Sequence, residues 1–429
     1  MIFRVLLSTM LLFELACVTA IAGGMPSHGK PTGTISLDDA YAAALRQSPE
    51  LAAASDEIRA REALAGQAAR RPNPVVQTEV ENIGVSGDRS GFDDTETTLL
   101  LSQLIELGGK RSKRARVAEI GRDLARWDFE AKRLDVLSRV RRAFITVLAA
   151  QARIDLVRER RRVATEEVNA ATRSVSAGAS SPFELSRARL TLERAGLELA
   201  QSESELRAAR DSLAATWRGE AAAFTRATGK LEDLPRLPAE NELARLVPSS
   251  PDVARWTSER EERRATLGLE EAGSVPDVTA GIGARHFSDN SDNALVFEVS
   301  VPLPLFDRNR DSVAAARARL SKAEHEAAAA SAGALAAIHE AYRRCTAARE
   351  NAERLAGSTL PAARAARENA RSAFRQGAVR RIDVLEAERT VFELETEYVG
   401  VLEAAHLAAA DVERLAAIEL AHADAAGVR

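Results

Sequence analysis

The chain has 429 residues, enough for two or three ordinary domains, and carries 59 Lys and Arg against 63 Asp and Glu, for a net charge of −4. This near balance excludes the strongly basic surface of a typical nucleic-acid-binding protein, so no nucleic-acid partner is expected. Beyond the N-terminal region no apolar run of roughly 18 residues or more occurs, and any membrane-spanning part is therefore expected to consist of strands.

The N-terminus has the pattern of an export signal. A positive residue precedes an apolar run over residues 5–13, and a small-x-small cleavage site ends at Ala22. We therefore predict a signal peptide over residues 1–22. Glu14 stands where a lipoprotein signal before Cys17 would carry an apolar residue. This favours ordinary cleavage and leaves lipid attachment at Cys17 open.

The first half of the mature chain combines helices with two strands. Ser36 and the acidic residues after it predict a helix start, and Pro49 begins a second helix that ends before Pro72. From Val75 the apolar period changes to two, which predicts a strand hairpin around the polar loop 84–94. The predicted elements are helices at 36–48 and 49–70, strands at 75–83 and 95–104, and a helical hairpin over 109–217.

One helix of unusual length dominates this half. The 68 residues from Lys110 to Ala177 contain no proline and are rich in strong helix formers. An unbroken helix of this length would span roughly 100 Å. Its apolar positions begin as a heptad seam, which predicts packing against other helices, and Gly178 is a natural helix stop. The seam comprises Val117, Ile120, Leu124, Trp127, Ala131 and Leu134, and it continues loosely through Leu137, Val140, Phe144, Leu148, Ile154, Val163 and Val168.

The same order of elements recurs in the second half. Junction 102–110 lies opposite 300–308 at an offset of 198, and Gly178 lies opposite Gly377 at an offset of 199. Two landmarks that keep almost the same offset indicate an internal duplication. Pro361 is predicted to kink the second long helix before its turn. The predicted repeats are 23–234 and 235–429, and the second contains strands at 278–287 and 294–302 and a helical hairpin over 307–420.

The strands impose a condition on assembly. Four strands from one chain cannot close a barrel, and open strand edges are not tolerated in lipid, so the chain is expected to oligomerise. A barrel of about eight strands would be filled with side chains, whereas three chains would supply about twelve strands and leave room for a channel. The predicted fold is mainly α with a membrane β-barrel, in which protomers with duplicated strand hairpins and long helical hairpins form a trimeric α/β-barrel tunnel.

Two junctions and two glycine turns carry a family resemblance. The first junction, at 102–111, reads Ser-Gln-Leu-Ile-Glu-Leu-Gly-Gly-Lys-Arg, and the second, at 301–309, reads Val-Pro-Leu-Pro-Leu-Phe-Asp-Arg-Asn. With the turns at Gly178 and Gly377, they make the chain similar to the TolC-like outer-membrane efflux proteins, most of all to the CzcC-like heavy-metal branch. The resemblance covers essentially the whole mature chain. It implies a homotrimer in the cell outer membrane with a long periplasmic tunnel, which docks to a periplasmic adaptor (membrane fusion) protein and an inner-membrane RND-type pump.

The hairpin turns are the candidate docking tips. In the resembled family this end meets the adaptor and forms the closed aperture, although the glycines could also be helix stops alone. The candidate tip residues are Gly178, Ala179, Ser180, Gly377, Ala378 and Val379. Charged residues beside the second turn are expected either to form gate-closing ion pairs or to be solvent-exposed, and they are Arg380, Arg381 and Asp383.

Other candidates concern the membrane. Alternation in the last strand predicts that Glu298 and Ser300 face the lumen and that four apolar residues face lipid: Leu295, Phe297, Val299 and Val301. The basic cluster 110–116 is expected to be either a solvated helix start or a contact with lipid head groups.

No catalytic, cofactor or metal site is predicted. The six histidines show no ligand spacing with cysteine or with one another, and no nucleophile–base pattern or phosphate loop occurs. Cys345 is expected to be a small packing residue. The sequence thus favours a passive exit duct for heavy-metal cations. The alternatives are a duct for organic compounds or for a secreted protein, and a periplasmic coiled-coil scaffold without a pore.

Overall fold

The computed structural model describes residues 33–84, 94–217 and 222–420. The helices are α1 (Leu37–Gln47), α2 (Pro49–Ala68), α3 (Lys110–Ser176), α4 (Pro182–Ala215), α5 (Glu240–Leu246), α6 (Pro251–Gly273), α7 (Arg310–Arg354), α8 (Leu360–Arg375) and α9 (Arg381–Ala416). The strands are β1 (Gly33–Ile35), β2 (Val75–Glu81), β3 (Glu96–Ile105), β4 (Phe224–Ala227), β5 (Val278–Phe287) and β6 (Asn293–Ser300). The predicted signal peptide, Cys17 and most of the predicted loop 84–94 lie outside the described residues.

The long strands and helices lie close to their predicted positions, with small differences at the strand ends. β2 ends at Glu81 because the next residue, Asn82, has a left-handed backbone with φ of 61°. β6 ends at Ser300, shortly before Pro302, which has no N–H group to continue a ladder. Within the described residues, no helix combines the length and the apolar character needed to cross a membrane.

The described residues form two compact units, and their boundary does not follow the predicted repeats. The first unit comprises the described parts of 1–46 and 143–230, and the second those of 47–142 and 231–429. The division cuts through α3. A helix roughly 100 Å long cannot keep both of its ends among the same neighbours. The assignment of two sequence repeats stays a prediction.

The first unit contains two short strands that the sequence analysis missed. β1 pairs in parallel with β4, and Ile35 lies opposite Ala227. The side chain of Gln151 completes this pair, because it accepts from the Ala227 N–H at 2.8 Å and donates to the Ala227 carbonyl at 3.0 Å. The sequence pattern after residue 218, with Pro235 and Pro238, predicts a small connecting segment with little regular structure, and this prediction is wrong, since the segment contains β4 and α5. Strands of three or four residues are too short to show a period.

The core of the second unit lies between helices α5, α7 and α9. Leu243 of α5, Ile338 and Cys345 of α7, and Ala409 and Val412 of α9 belong to one buried cluster. The Cys345 thiol is 4% exposed and lies 3.5 Å from the Ala405 carbonyl oxygen. This burial supports the prediction that Cys345 is a packing residue.

The second long helix is interrupted near Pro361. A π-helical turn at Leu355–Thr359 separates α7 from α8, and Pro361 is the second residue of α8. A proline lacks the N–H group of a regular helical hydrogen bond, and a wider π turn accommodates that loss. The predicted disturbance thus takes the form of a π turn, whereas the predicted bend stays a prediction.

The reactivity of Cys345 tests the packing of this core. Burial raises the pKa of its thiol to about 11, so the reactive thiolate is scarce at neutral pH. Iodoacetamide at pH 7.5 should modify Cys345 slowly in the folded protein and rapidly after denaturation, as measured by mass spectrometry. Equal rates in both states would contradict the buried position.

Candidate functional site

A four-stranded antiparallel sheet brings the candidate membrane residues together. Its order is β2-β3-β5-β6, so the two strand hairpins lie side by side. The register aligns Val76 with Leu101, Leu101 with Ile282, and Ile282 with Phe297. One apolar row therefore crosses all four strands on a single face of the sheet.

This apolar face is open in the single chain. Leu295, Phe297 and Val299 are 73–74% exposed, and Val301 is 43% exposed. The neighbouring strands add further exposed apolar residues to the same face: Val76, Val80, Leu99, Leu101, Ile105 and Ile282. Soluble surfaces rarely carry an apolar patch this continuous, and such patches mark contacts with lipid or protein.

The opposite face, the polar face, carries the charged side chains of the sheet. Gln77, Glu79, Thr98, Arg285 and Glu298 line a shallow cavity there, together with Leu100, Val296 and Phe297. Arg285 bridges three strands, because its guanidinium donates to Thr98 at 2.9 Å and to Glu96 at 2.8 Å and lies 3.3 Å from Glu81. The alternation places Glu298 and Ser300 of β6 on this face, opposite the four predicted lipid-facing residues. The residues of β6 thus lie on the two faces of the sheet as the alternation in the sequence predicts. Contact of the apolar face with lipid remains a proposal.

The two hairpin turns end their helices in the same way. At the first, the Gly178 N–H bonds to the Val175 carbonyl at 3.0 Å and the Ala179 N–H to the Ser174 carbonyl at 2.9 Å. Gly178 has a φ of +70°, which a glycine adopts at little cost. This pair of bonds is the Schellman motif, a common helix end.

The second turn repeats the motif bond for bond. The Gly377 N–H bonds to the Phe374 carbonyl at 3.0 Å, the Ala378 N–H bonds to the Ala373 carbonyl at 2.9 Å, and Gly377 has a φ of +74°. Gly178, Ala179, Gly377 and Ala378 are exposed, whereas Ser180 and Val379 are half-buried. The glycines are thus helix stops by geometry, and the structure leaves both alanines accessible for a partner.

The charged residues beside the second turn have a local role. The Asp383 carboxylate accepts from the Arg380 backbone N–H at 2.8 Å, which caps the first turn of α9. The Arg380 guanidinium lies 3.5 Å from the same carboxylate and is 82% exposed. Asp383 is therefore engaged within its own turn, and a gating role for Arg380, Arg381 and Asp383 stays a prediction.

Much of the basic cluster at 110–116 is used inside the protein. Lys110 lies 2.8 Å from Asp277, Lys113 donates to the Gly268 carbonyl at 2.9 Å, and Arg114 pairs with Glu106 at 2.5 Å. The first two contacts connect the start of α3 to the start of β5 and to α6, and the third connects it to the residue after β3. These three residues therefore contact other parts of the protein. This differs from both predictions for the cluster, a solvated helix start and a contact with lipid head groups.

A buried ion pair is the main feature that the sequence analysis missed. Arg141 of α3 and Glu413 of α9 lie 2.7 Å apart, with side chains that are 4% and 10% exposed. Glu413 also accepts from the Leu420 N–H at 2.8 Å. Burial raises the pKa of Glu413, and the attraction of Arg141 opposes that rise. No sequence signal distinguishes these residues from the many charges on solvated helix faces.

Two of the histidines have packing or pairing roles. His406 is buried and bonds the Leu231 carbonyl at 2.8 Å, and His339 lies 2.6 Å from Glu240. Among the described residues, no three His, Cys, Asp or Glu side chains are grouped as metal ligands would be.

These features, a two-faced sheet joined to long helices that end in matched turns, are the architecture of an outer-membrane channel protein. The sequence profile of the outer membrane efflux protein family matches residues 40–217 and 244–417. The chain belongs to this family, which assigns it to the outer membrane with a long helical extension in the periplasm.

Individual relatives agree with this assignment. The chain is 34% identical over 383 residues to the cobalt-zinc-cadmium resistance protein CzcC of Cupriavidus metallidurans, covering 89% of this chain and 90% of the relative. It is 32% identical over 284 residues to the nickel and cobalt resistance protein CnrC of the same organism, covering 65% and 66%. A crystal structure of CusC superposes with a TM-score of 0.76 at 16% identity, covering 91% of this chain and 98% of the other.

The buried ion pair yields a stability prediction. Replacing Arg141 by Met leaves the Glu413 carboxylate buried without its counter-ion, which should lower the free energy of unfolding by about 3–5 kcal/mol. The deficit should shrink as the pH falls, because protonated Glu413 needs no counter-ion, and a group with a raised pKa favours the folded state at low pH. Thermal unfolding in detergent, followed by circular dichroism, measures both effects.

The matched control is Arg142→Met. Arg142 pairs with Asp411 at 2.5 Å, but its side chain is 45% exposed, so its loss should cost no more than about 1 kcal/mol. Equal unfolding temperatures for Arg141→Met and Arg142→Met would contradict the assigned importance of the buried pair.

Proposed function

We propose that this chain is the outer-membrane duct of a tripartite efflux system that exports heavy-metal cations. The observation that carries the proposal is the two-faced sheet, in a chain that aligns over 89% of its length with a cobalt-zinc-cadmium resistance protein. The apolar face would contact lipid and the polar face the water-filled lumen. The duct would be passive and would perform no catalytic step, so the energy for export would come from its partners.

The proposed assembly is a homotrimer. β2 and β6 are the outer strands of the sheet among the described residues, and their outward N–H and C=O groups need partners in lipid. Strands from two further copies would supply those partners and close a barrel of about twelve strands. A periplasmic adaptor would bind the exposed hairpin turns, and an inner-membrane RND-type pump would deliver the cations.

The proposal is tested by deleting the gene in its host and restoring it on a plasmid. The deletion should sensitise cells to divalent metals such as cobalt, zinc or cadmium, and the plasmid should restore resistance. The purified protein should also conduct ions in planar lipid bilayers. If the deletion sensitises cells to organic compounds alone, the chain is instead a duct for organic compounds. A protein that conducts no ions would favour the pore-less scaffold.

Two neighbouring residues of β6 test the facing of the sheet. Replacing Val299 by Arg places a charge in lipid and should cost about 2–4 kcal/mol near mid-bilayer, which should reduce the yield of assembled protein in outer-membrane fractions. The matched control is Glu298→Arg, one residue away on the polar face, which should assemble normally. If both variants assemble equally well, the facing assignment is wrong.

The hairpin turns should separate assembly from export. In Ala179→Glu and Ala378→Glu, the added charge lies at an exposed tip outside the helix packing, so the variants should assemble normally but lose adaptor binding and metal resistance. Crosslinking of cysteines placed at the tips to the adaptor measures binding, and growth on metal measures export. The controls are Ala200→Glu of α4 and Ala365→Glu of α8, which are exposed positions away from the turns. Full resistance and unchanged crosslinking in both tip variants would leave the turns with a structural role only.

A further inference from the structure

The segment between β6 and α7 is an unusually exposed apolar stretch. We call residues 301–306 the apolar connector, with the sequence Val-Pro-Leu-Pro-Leu-Phe. Leu303 is 75% exposed, Leu305 is 66% exposed and Phe306 is fully exposed. A short chain segment that leaves this much apolar surface in water is costly, at roughly 25 cal/mol per Å². The connector therefore needs an explanation beyond joining two elements.

The connector continues the apolar face of the sheet. Leu295, Phe297 and Val299 alternate along β6, and the same period of two passes through Val301 and Leu303 to Leu305. At about 3.3 Å per residue, the extended part of the connector continues the apolar stripe by roughly 7 Å past Val301, to Leu303. The chain then turns, because the Leu305 N–H bonds to the Leu303 carbonyl. The apolar stripe thus extends beyond the hydrogen-bonded ladder between β5 and β6, which ends at Ser300.

Two of the six residues of the connector have no backbone N–H group. Pro302 and Pro304 have no N–H groups, and the Leu305 N–H bonds to the Leu303 carbonyl at 2.8 Å. The Pro304 carbonyl accepts from the Arg308 guanidinium at 3.2 Å. Because an unsatisfied backbone group is costly in an apolar medium, these features lower the cost of placing the connector at the boundary of a bilayer.

The chain is held firmly at Asn309, three residues after the connector. The Asn309 side chain donates to the Glu270 backbone carbonyl at 2.7 Å and to its carboxylate at 2.9 Å. It fills the space beside Gly273, where an added Cβ would lie 2.6 Å from the Asn309 amide nitrogen. Asp307 accepts from the Asn309 N–H at 2.9 Å. These contacts fix the position of the chain shortly after the apolar side chains of the connector.

The corresponding junction of the first half is built differently. At the offset of 198, Leu305 lies opposite Leu107, whose N–H donates to Asp277 at 2.9 Å. Glu106 of that junction pairs with Arg114. Leu107 is 38% exposed, about half of the value for Leu305. One junction is tied to the protein, whereas the other presents its apolar residues outward.

We propose that the apolar connector lies in the phospholipid interface of the periplasmic leaflet and sets the depth of the protein in the membrane. The proposal rests on the proposed function, since it takes the apolar face of the sheet as the lipid-facing one. Continuity with that face favours lipid over a second copy of the chain. Arg308, exposed two residues after the connector, is placed to meet lipid phosphates. The aromatic ring of Phe306 suits the same boundary.

Tryptophan reporters in the full-length protein test this proposal. The variant Phe306→Trp is reconstituted into vesicles of phosphatidylethanolamine and phosphatidylglycerol, with lipids brominated either near the head group or near the chain end. Its fluorescence is taken as the difference from the wild-type protein, which contains three tryptophans. Val299→Trp reports on the sheet face. Phe183→Trp, at a side chain 68% exposed beside the Gly178 turn, is the matched exposed control.

The expected result is a depth order. Phe306→Trp should be quenched more by bromine near the head group than by bromine near the chain end, Val299→Trp should be quenched by lipid as well, and Phe183→Trp only by aqueous acrylamide. If Phe306→Trp behaves like Phe183→Trp, the connector lies in water and the proposal is overturned. If it is shielded from both lipid and acrylamide, a protein surface covers it, and the proposal is equally overturned. Loss of lipid quenching at Val299→Trp would instead overturn the facing of the sheet, and with it the membrane role in the proposed function.

Discussion

The backbone polar groups on β2 and β6 set the condition that the proposed assembly must meet. Each strand presents one row of N–H and C=O groups away from the sheet, and the adjoining face carries an apolar row that crosses four strands. In water these groups would be hydrated while the apolar face would be unfavourable. In lipid the apolar face is stable, whereas every unpaired backbone group costs several kcal/mol. In the proposed assembly, further strands at both edges satisfy both conditions, so assembly and membrane insertion would depend on each other.

The rest of the second unit can be understood as support for the sheet. Lys110 and Lys113 contact the start of β5 and α6, and Arg114 contacts Glu106 directly after β3, so charges that could have faced solvent fix the base of the strands to the helices. Asn309 holds the other junction against α6. Further along, the Arg141–Glu413 pair joins α3 to α9 inside the helical packing. A buried pair of this kind is costly to form, but it is also costly to break, so it favours one alignment of the two helices.

Much of this architecture can be predicted from the sequence because the signals are local and repeated. Alternation in β6 separates Glu298 from Phe297 and Val299 without any knowledge of neighbours. The glycine turns recur at almost the same offset, which predicts a common helix end before either geometry is known. Contacts between distant residues leave no such trace. Arg141 and Glu413 are 272 positions apart, and nothing in the residues around them predicts their contact.

Other features escaped prediction for different physical reasons. β1 and β4 contain too few residues to show a period, and their pairing depends on the Gln151 side chain in α3. Pro361 predicts a disturbance, but whether a helix bends or widens into a π turn depends on the packing of the residues before it. The exposure of Phe306 also cannot be inferred from sequence, because an apolar run after a strand is as compatible with a buried junction as with an open one.

The central claim is that the two open edges of the sheet are satisfied by strands from other copies of the same chain. Native mass spectrometry of the detergent-extracted outer-membrane protein tests it most directly, because it counts the copies in the intact particle. A single species of three chains should persist after the detergent is stripped in the gas phase. A monomer that is stably folded and membrane-inserted would contradict it, since the edges of β2 and β6 would then lack the partners that lipid cannot provide.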